Sequence, residues 1–198
     1  MAKLNREAWL TAVATELEAL FTQRGVKLPK YRVTCGWPSS KALSAANRRI
    51  GECWSDKASA DGRHEIIVSM CLTDPMRVAG VMAHEMVHAA VGIPAGHKKP
   101  FRDLAVSIGL EGKMTATVEG DVVKMAVRPM LKRVGRYPHG QLDATLSGRK
   151  KQTTRMLKAS CPECGYTVRT TAKWIEVAVP TCPDTDCDNH GMDMEVAE

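Results

Sequence analysis

Residues 74–109 read DPMRVAGVMAHEMVHAAVGIPAGHKKPFRDLAVSIG. Asp74 followed by Pro75 is a strong helix start, because an aspartate accepts hydrogen bonds from free first-turn amides and proline has no amide to satisfy. The helix is expected to run to about Val91 and to stop at Gly92. At 100° per residue its apolar side chains surround almost the whole circumference, so it should be buried except where its histidines point. A second helix is expected to begin at Pro100 and to carry Phe101, Leu104, Ala105 and Ile108 on one face before Gly109. The two helices bracket a loop that holds His97.

Residues 84–88 are His-Glu-Met-Val-His. On a helix, His84 and His88 lie one turn apart on a single face, close enough to share one metal ion, and Glu85 lies about 100° round, beside it. A catalytic zinc needs a third protein ligand and an open position for water. His97 is the leading candidate, since the turn residues Pro94 and Gly96 let the chain reverse after Gly92. Glu111 or Glu119 would serve in a His-His-Glu arrangement, with Asp103 a weaker substitute. The metzincin spacing, with its third histidine six residues on, does not fit. Zinc would bring the pKa of water down to roughly 7 and polarise a scissile carbonyl, with Glu85 moving the proton, so hydrolysis of an amide is the expected chemistry. Tyr137 and His139 could return to the cleft as donors to an oxyanion, although a plain loop is the favoured reading.

A second constellation lies downstream. Cys161 and Cys164 form a knuckle whose two-residue gap lets both thiolates face one ion, and Gly165 permits the tight turn. Cys182 and Cys187 form the other half, in the spacing Cys-x2-Cys-x17-Cys-x4-Cys, close to a zinc ribbon. The four-residue gap in the second knuckle departs from the usual two, and His190 is an alternative to Cys187 there. A four-thiolate site has no open position and would be structural. Cys35, Cys53 and Cys71 lack paired spacing and are expected to be buried free thiols.

The segment VMAHEMVHAAVGIPAGHKKPFRDL, residues 81–104, resembles the core of the SprT/Spartan metalloprotease family: HExxH, a loop, then a histidine shortly followed by an aromatic residue and a helix. The likeness covers about residues 31–112 plus the ribbon at 161–187, and is nearest to small bacterial or phage SprT-like proteins. It implies His84, His88 and His97 as zinc ligands, Glu85 as the catalytic residue, and proteins attached to DNA as substrates.

The 198 residues are 44% hydrophobic and 25% charged, as in an ordinary globular protein, which excludes disorder of the whole chain. No apolar run is long enough to cross a bilayer and no signal peptide is evident, so a cytoplasmic protein without membrane contact is expected. Seven cysteines there favour metal binding or free thiols over disulfides. The net charge of +6 is uneven: residues 161–198 hold two Lys/Arg and eight Asp/Glu, leaving +12 on residues 1–160. Lys124, Arg128, Lys132, Arg133, Arg136, Arg149, Lys150, Lys151, Arg155 and Lys158 face a single acid, Asp143, so residues 124–158 are expected to contact DNA. Phosphate would repel the acidic ribbon.

The remaining expectations are coarser. Residues 5–24 should form an amphipathic helix, 31–35 a strand, 40–49 a short helix capped by Ser39 or Ser40, and 50–55 with 65–70 two strands, with His64 solvated beside a turn. Residues 166–171 and 174–179 look like ribbon strands. The expected whole is an α+β protein: a zincin-like catalytic domain over residues 1–120 with a small sheet and an active-site helix, a partly regular basic connection over 121–158, and a zinc ribbon over 159–198. The expected function is a zinc metallopeptidase acting on DNA-associated proteins, with one catalytic and one structural Zn2+. The alternatives are a regulatory protease cutting one repressor or host protein, and a non-catalytic nucleic-acid-binding zinc protein.

Overall fold

The computed structural model describes residues 4–44, 46–143, 146 and 155–197. It is a mixed α+β protein that divides into two compact units, residues 1–147 and 148–198. Among the described residues no helix is long and apolar enough to cross a membrane.

The first unit begins with helix α1 (Arg6–Thr22), capped by the Asn5 side chain accepting from the Ala8 amide. Its apolar positions Leu10, Val13, Leu17 and Phe21 recur at helical spacing and are fully or almost fully buried. Strands β1 (Tyr31–Gly36), β2 (Gly51–Trp54) and β3 (His64–Ser69) form a sheet in the order β1-β3-β2. β1 runs parallel to β3, with Val33 opposite Ile66, and β2 runs antiparallel to it, with Cys53 opposite Ile66. β3 is therefore the central strand, and β2 is an edge.

Helix α2 (Pro75–Val91) starts as its sequence predicts: the Asp74 carboxylate accepts from the Arg77 amide at 2.7 Å and Pro75 takes the first turn. Gly92 ends it in a left-handed backbone conformation, φ +85°, that a side chain would disfavour. Helix α3 (Lys99–Ser107) follows, then a hairpin of β4 (Leu110–Lys113) and β5 (Ala116–Glu119), then helix α4 (Asp121–Val134). Val78, Met82 and Met86 of α2 pack with Phe101, Ile66, Val68, Trp9 and Leu10 in one core. Each of these large side chains contributes on the order of 1.5–3 kcal/mol on burial.

Several expectations need correction. Residues 121–134, read as part of a basic connection over 121–158, are helix α4, and it belongs to the first unit. Val123, Val127 and Met130 stand at helical spacing and are fully buried. Pro129 interrupts only the bond to the Met125 carbonyl, on a side of α4 where Met125 is 62% exposed and water can take over. Among the described residues of 39–49 there is no helix: Lys41 and Asn47 adopt left-handed φ of 54° and 52°, which breaks helical continuity. His64 is buried, not solvated. It shares the inward face of β3 with Ile66 and Val68, and its Nδ1 lies 3.1 Å from the Trp54 carbonyl oxygen. The thiols are free, as expected, but only Cys35 is buried; Cys53 and Cys71 are half-exposed.

The second unit contains β6 (Met156–Ser160), β7 (Thr167–Thr171) and β8 (Glu195–Ala197) in the order β7-β6-β8, all antiparallel. Its small core is Ala159, Cys161, Cys182 and Met194. Residues 174–179, expected as a ribbon strand, are not one: residues 172–177 form a short helix α5 (Ala172–Val177), and the strands beside β6 are β7 and β8.

Candidate functional site

α2 presents His84 and His88 on one face, as their four-residue spacing dictates. The turn after Gly92 brings His97 back over them. His97 Nε2 lies 3.1 Å from His84 Nε2 and 3.2 Å from His88 Nε2. Zinc held tetrahedrally by nitrogens at about 2.0–2.1 Å would place any two of them roughly 3.3 Å apart, so the three rings fit a single ion. Phe101 of α3, fully buried, backs all three rings at centroid distances of 4.4 to 4.9 Å.

Thr117 on β5 supplies an outer support that nothing in the local sequence announces. It is 3% exposed, and its Oγ1 lies 2.9 Å from His84 Nδ1. Donation from the Nδ1–H leaves Nε2 as the bare nitrogen, the tautomer a metal requires. Thr117→Val is accordingly expected to weaken metal binding at the three histidines by about 10–100-fold, with Thr117→Ser retaining most of it. Chelator competition reads this directly, and equal affinities in all three proteins would refute it.

The alternative ligands do not join the group. Glu119 is paired with Arg77 at 3.1 Å, Asp103 with Lys99 at 2.5 Å, and the convergent set contains His84, His88 and His97 but neither these nor Glu111. Tyr137 and His139 do not line the cleft either. Tyr137 is buried against Trp9, centroids 4.8 Å apart, and His139 Nε2 lies 2.8 Å from the Met70 carbonyl oxygen. They tie the chain after α4 back to the core.

Glu85 shares a cleft of about 590 Å³ with the histidines. It is lined by residues 48–55, which include β2, by Arg77, Val81, His84, Glu85 and His88 of α2, and by residues 115–117. The approach of β2 to α2 requires Gly51: a methyl group there would come within 2.5 Å of Glu85 Oε1 and 2.6 Å of Val81 Cγ1. Burial raises the Glu85 pKa to about 8, with the Glu52 charge adding and Arg49 opposing. Burial lowers His84 to about 3 and His88 to about 4, helped by the neighbouring imidazoles, with Arg77 acting on His84 and Arg49 on His88.

These shifts give the metal-free protein a defined pH response. Glu85 binds its proton more tightly when folded, so its contribution is full below about pH 4.5 and declines as pH rises to about 8. The two histidines take up protons more readily when unfolded, so their contribution declines as pH falls below 6.5 towards 3–4. Together the three groups favour the fold most near pH 6.5. In urea titrations of metal-free protein, Glu85→Gln is expected to remove the decline between pH 6.5 and 8 and to leave the acid limb; an unchanged alkaline limb would contradict this.

In the second unit, Cys161, Cys164, Cys182 and Cys187 form a cluster that could hold a metal ion. Cys161 Sγ is 3.8 Å from Cys187 Sγ, and Cys164 Sγ is 3.6 Å from Cys182 Sγ. These are far beyond a disulfide bond, and they match the roughly 3.7–3.8 Å expected between thiolates at about 2.3 Å from one tetrahedral zinc. Gly165, φ +73°, makes the knuckle turn with its amide bonded to the Cys161 carbonyl at 3.1 Å. Backbone N–H groups of Cys164 and Glu163 lower the Cys161 pKa to about 6. The fourth member is Cys187 and not His190, whose Nδ1 lies 3.1 Å from the Asp184 carbonyl oxygen.

Comparison with protein families, with curated proteins and with solved structures finds no match.

Proposed function

We propose that the chain is a zinc-dependent metallopeptidase of zincin-like architecture, with a catalytic ion at His84, His88 and His97 and a structural zinc in a C-terminal ribbon. The observation that carries this reading is the convergence of three imidazole nitrogens, 3.1–3.2 Å apart, beside the carboxylate of Glu85 in an open cleft. The motif likeness to SprT/Spartan proteases supports it. An ion bound there would supply Lewis acidity to the attacking water and the scissile carbonyl. Glu85, which lines the same cleft, would take the proton from that water and deliver it to the leaving amine. Thr117 holds His84 in the tautomer that keeps Nε2 available.

Metal analysis of the whole protein tests the assignment together with casein digestion. Two zinc ions per chain are expected, falling to one in His97→Ala with loss of digestion; one ion in the wild type would overturn it.

We further propose proteins associated with DNA as substrates, supported by Arg128 and Lys132 on one face of α4 with Arg136 just beyond it. All three are exposed, and among the described residues none has an ion-pair partner. Lys124 and Arg133 are paired with Asp121 and Glu16 instead. Arg155 and Lys158 belong to the second unit, and Arg149, Lys150 and Lys151 lie outside the described residues. DNA affinity is expected to fall with salt at a log–log slope of about −0.9 per phosphate contacted. Arg128→Glu with Lys132→Glu should flatten that slope by about two units; no salt dependence in the wild type would remove the DNA contact.

A further inference from the structure

The cleft beside Glu85 is lined by three arginines, Arg48, Arg49 and Arg77, against two carboxylates, Glu52 and Glu85. The arginines differ in how they are compensated. Arg49 Nη1 lies 2.5 Å from Glu52 Oε1, and Glu52 also accepts from the Ser39 amide, the Ser39 hydroxyl and the Trp54 indole. Arg77 is paired with Glu119 at 3.1 Å and donates to the Thr117 carbonyl at 2.8 Å.

Arg48 has no carboxylate partner among the described residues. Its Nε donates to the Ser44 carbonyl at 3.1 Å, and its Nη1 contacts Cys71 Sγ at 3.3 Å. Those two contacts occupy two of the five N–H donors of this exposed, cleft-lining guanidinium and leave three for a ligand. A fork fixed in this way loses little freedom when a planar carboxylate docks on it, and charge-assisted bonds of this kind are among the stronger polar contacts. At about 590 Å³ the cleft has room for a few residues of a polypeptide and not for a DNA duplex.

We infer that Arg48 is a specificity-determining residue that selects polypeptide segments carrying an acidic side chain near the bond to be cut. This rests on the peptidase reading of the site, and adds a substrate preference to it. The cleft would disfavour lysine and arginine at the same position, because a second cation there is repelled by Arg48, which no carboxylate neutralises among the described residues.

Matched fluorogenic peptides that differ only in Glu, Gln or Lys next to the scissile bond, assayed with the zinc-loaded full chain, test the inference. The Glu peptide is expected to exceed the Gln peptide in kcat/KM by about tenfold at low salt, and the Lys peptide by more. Arg48→Gln should bring the Glu-to-Gln ratio close to one, and Arg48→Glu should invert it in favour of Lys. A second arm measures equilibrium binding of the same labelled peptides to Glu85→Gln protein by fluorescence anisotropy, which reads recognition without cleavage. Acidic preference in binding with no cleavage by the wild type would sink the peptidase reading and uphold the role of Arg48. Equal binding of the three peptides, or ratios unaltered by Arg48→Glu, would overturn the inference. So would a finding that Arg48→Glu weakens binding of a single-stranded oligonucleotide while leaving the peptide ratios intact, since the fork would then be a phosphate contact.

Discussion

Glu85→Gln is expected to lower peptide hydrolysis by about 10²–10⁴-fold while the protein keeps both metal ions, its fold and its affinity for substrate. The expectation follows from position and not only from the motif. Glu85 is 6% exposed and lines the cleft, between the two helical histidines in sequence but about 100° round the helix from His84 and about 60° from His88. It is therefore beside the metal position without belonging to the convergent set. An amide in its place keeps nearly the same volume against Gly51 and Val81, so the core should not rearrange. What is lost is a group able to accept a proton. Metal content, unfolding midpoint and kcat must be measured on one preparation. Retained activity would show that hydrolysis, if present, takes place elsewhere, and loss of metal would show that Glu85 is a ligand.

The second large effect concerns the four cysteines. Cys164→Ser, or a chelator strong enough to strip the site, is expected to unfold residues 156–197 while leaving the first unit folded. The second unit's buried core amounts to Ala159, Cys161, Cys182 and Met194, two of them members of the cysteine cluster, with Val168, Cys187 and Val196 packed partly against it. So small a core cannot offset the conformational entropy of some forty residues. Structural zinc contributes on the order of 10–16 kcal/mol at neutral pH in comparable small domains, and most of that would appear as folding free energy. Amide hydrogen exchange resolves the two units separately. Rapid exchange confined to β6, β7 and β8 is the expected pattern; protection there without metal would show that the ribbon stands on its packing alone.

The most legible element in the sequence was α2, because three independent signals agreed: the Asp74-Pro75 cap, the Gly92 terminator and histidines at helical spacing. His97 followed from turn residues that force the chain to reverse. Thr117 could not be read from the sequence, since it lies 33 residues from His84 and meets it only because the β4–β5 hairpin folds against α2. That hairpin has strands of four residues each, too short for an alternating pattern to stand out. α4 was hidden for a different reason. Pro129 and the surrounding basic residues obscured the spacing of Val123, Val127 and Met130, and only the tertiary structure shows that the proline's missing bond falls on the exposed side. Gly51 could be recognised only once β2 and α2 were seen to touch.

β2 is an edge strand, bonded along one side to β3, and its residues line the cleft together with the histidines. Under the peptidase reading, an incoming chain could add to such an edge only by lying straight. A target locked in helix or tight globular form would offer no such length. If the proposed peptidase activity holds, susceptibility among targets should track how readily a stretch of their backbone comes loose, so that damaged, partly unravelled or intrinsically unstructured molecules are consumed before intact neighbours.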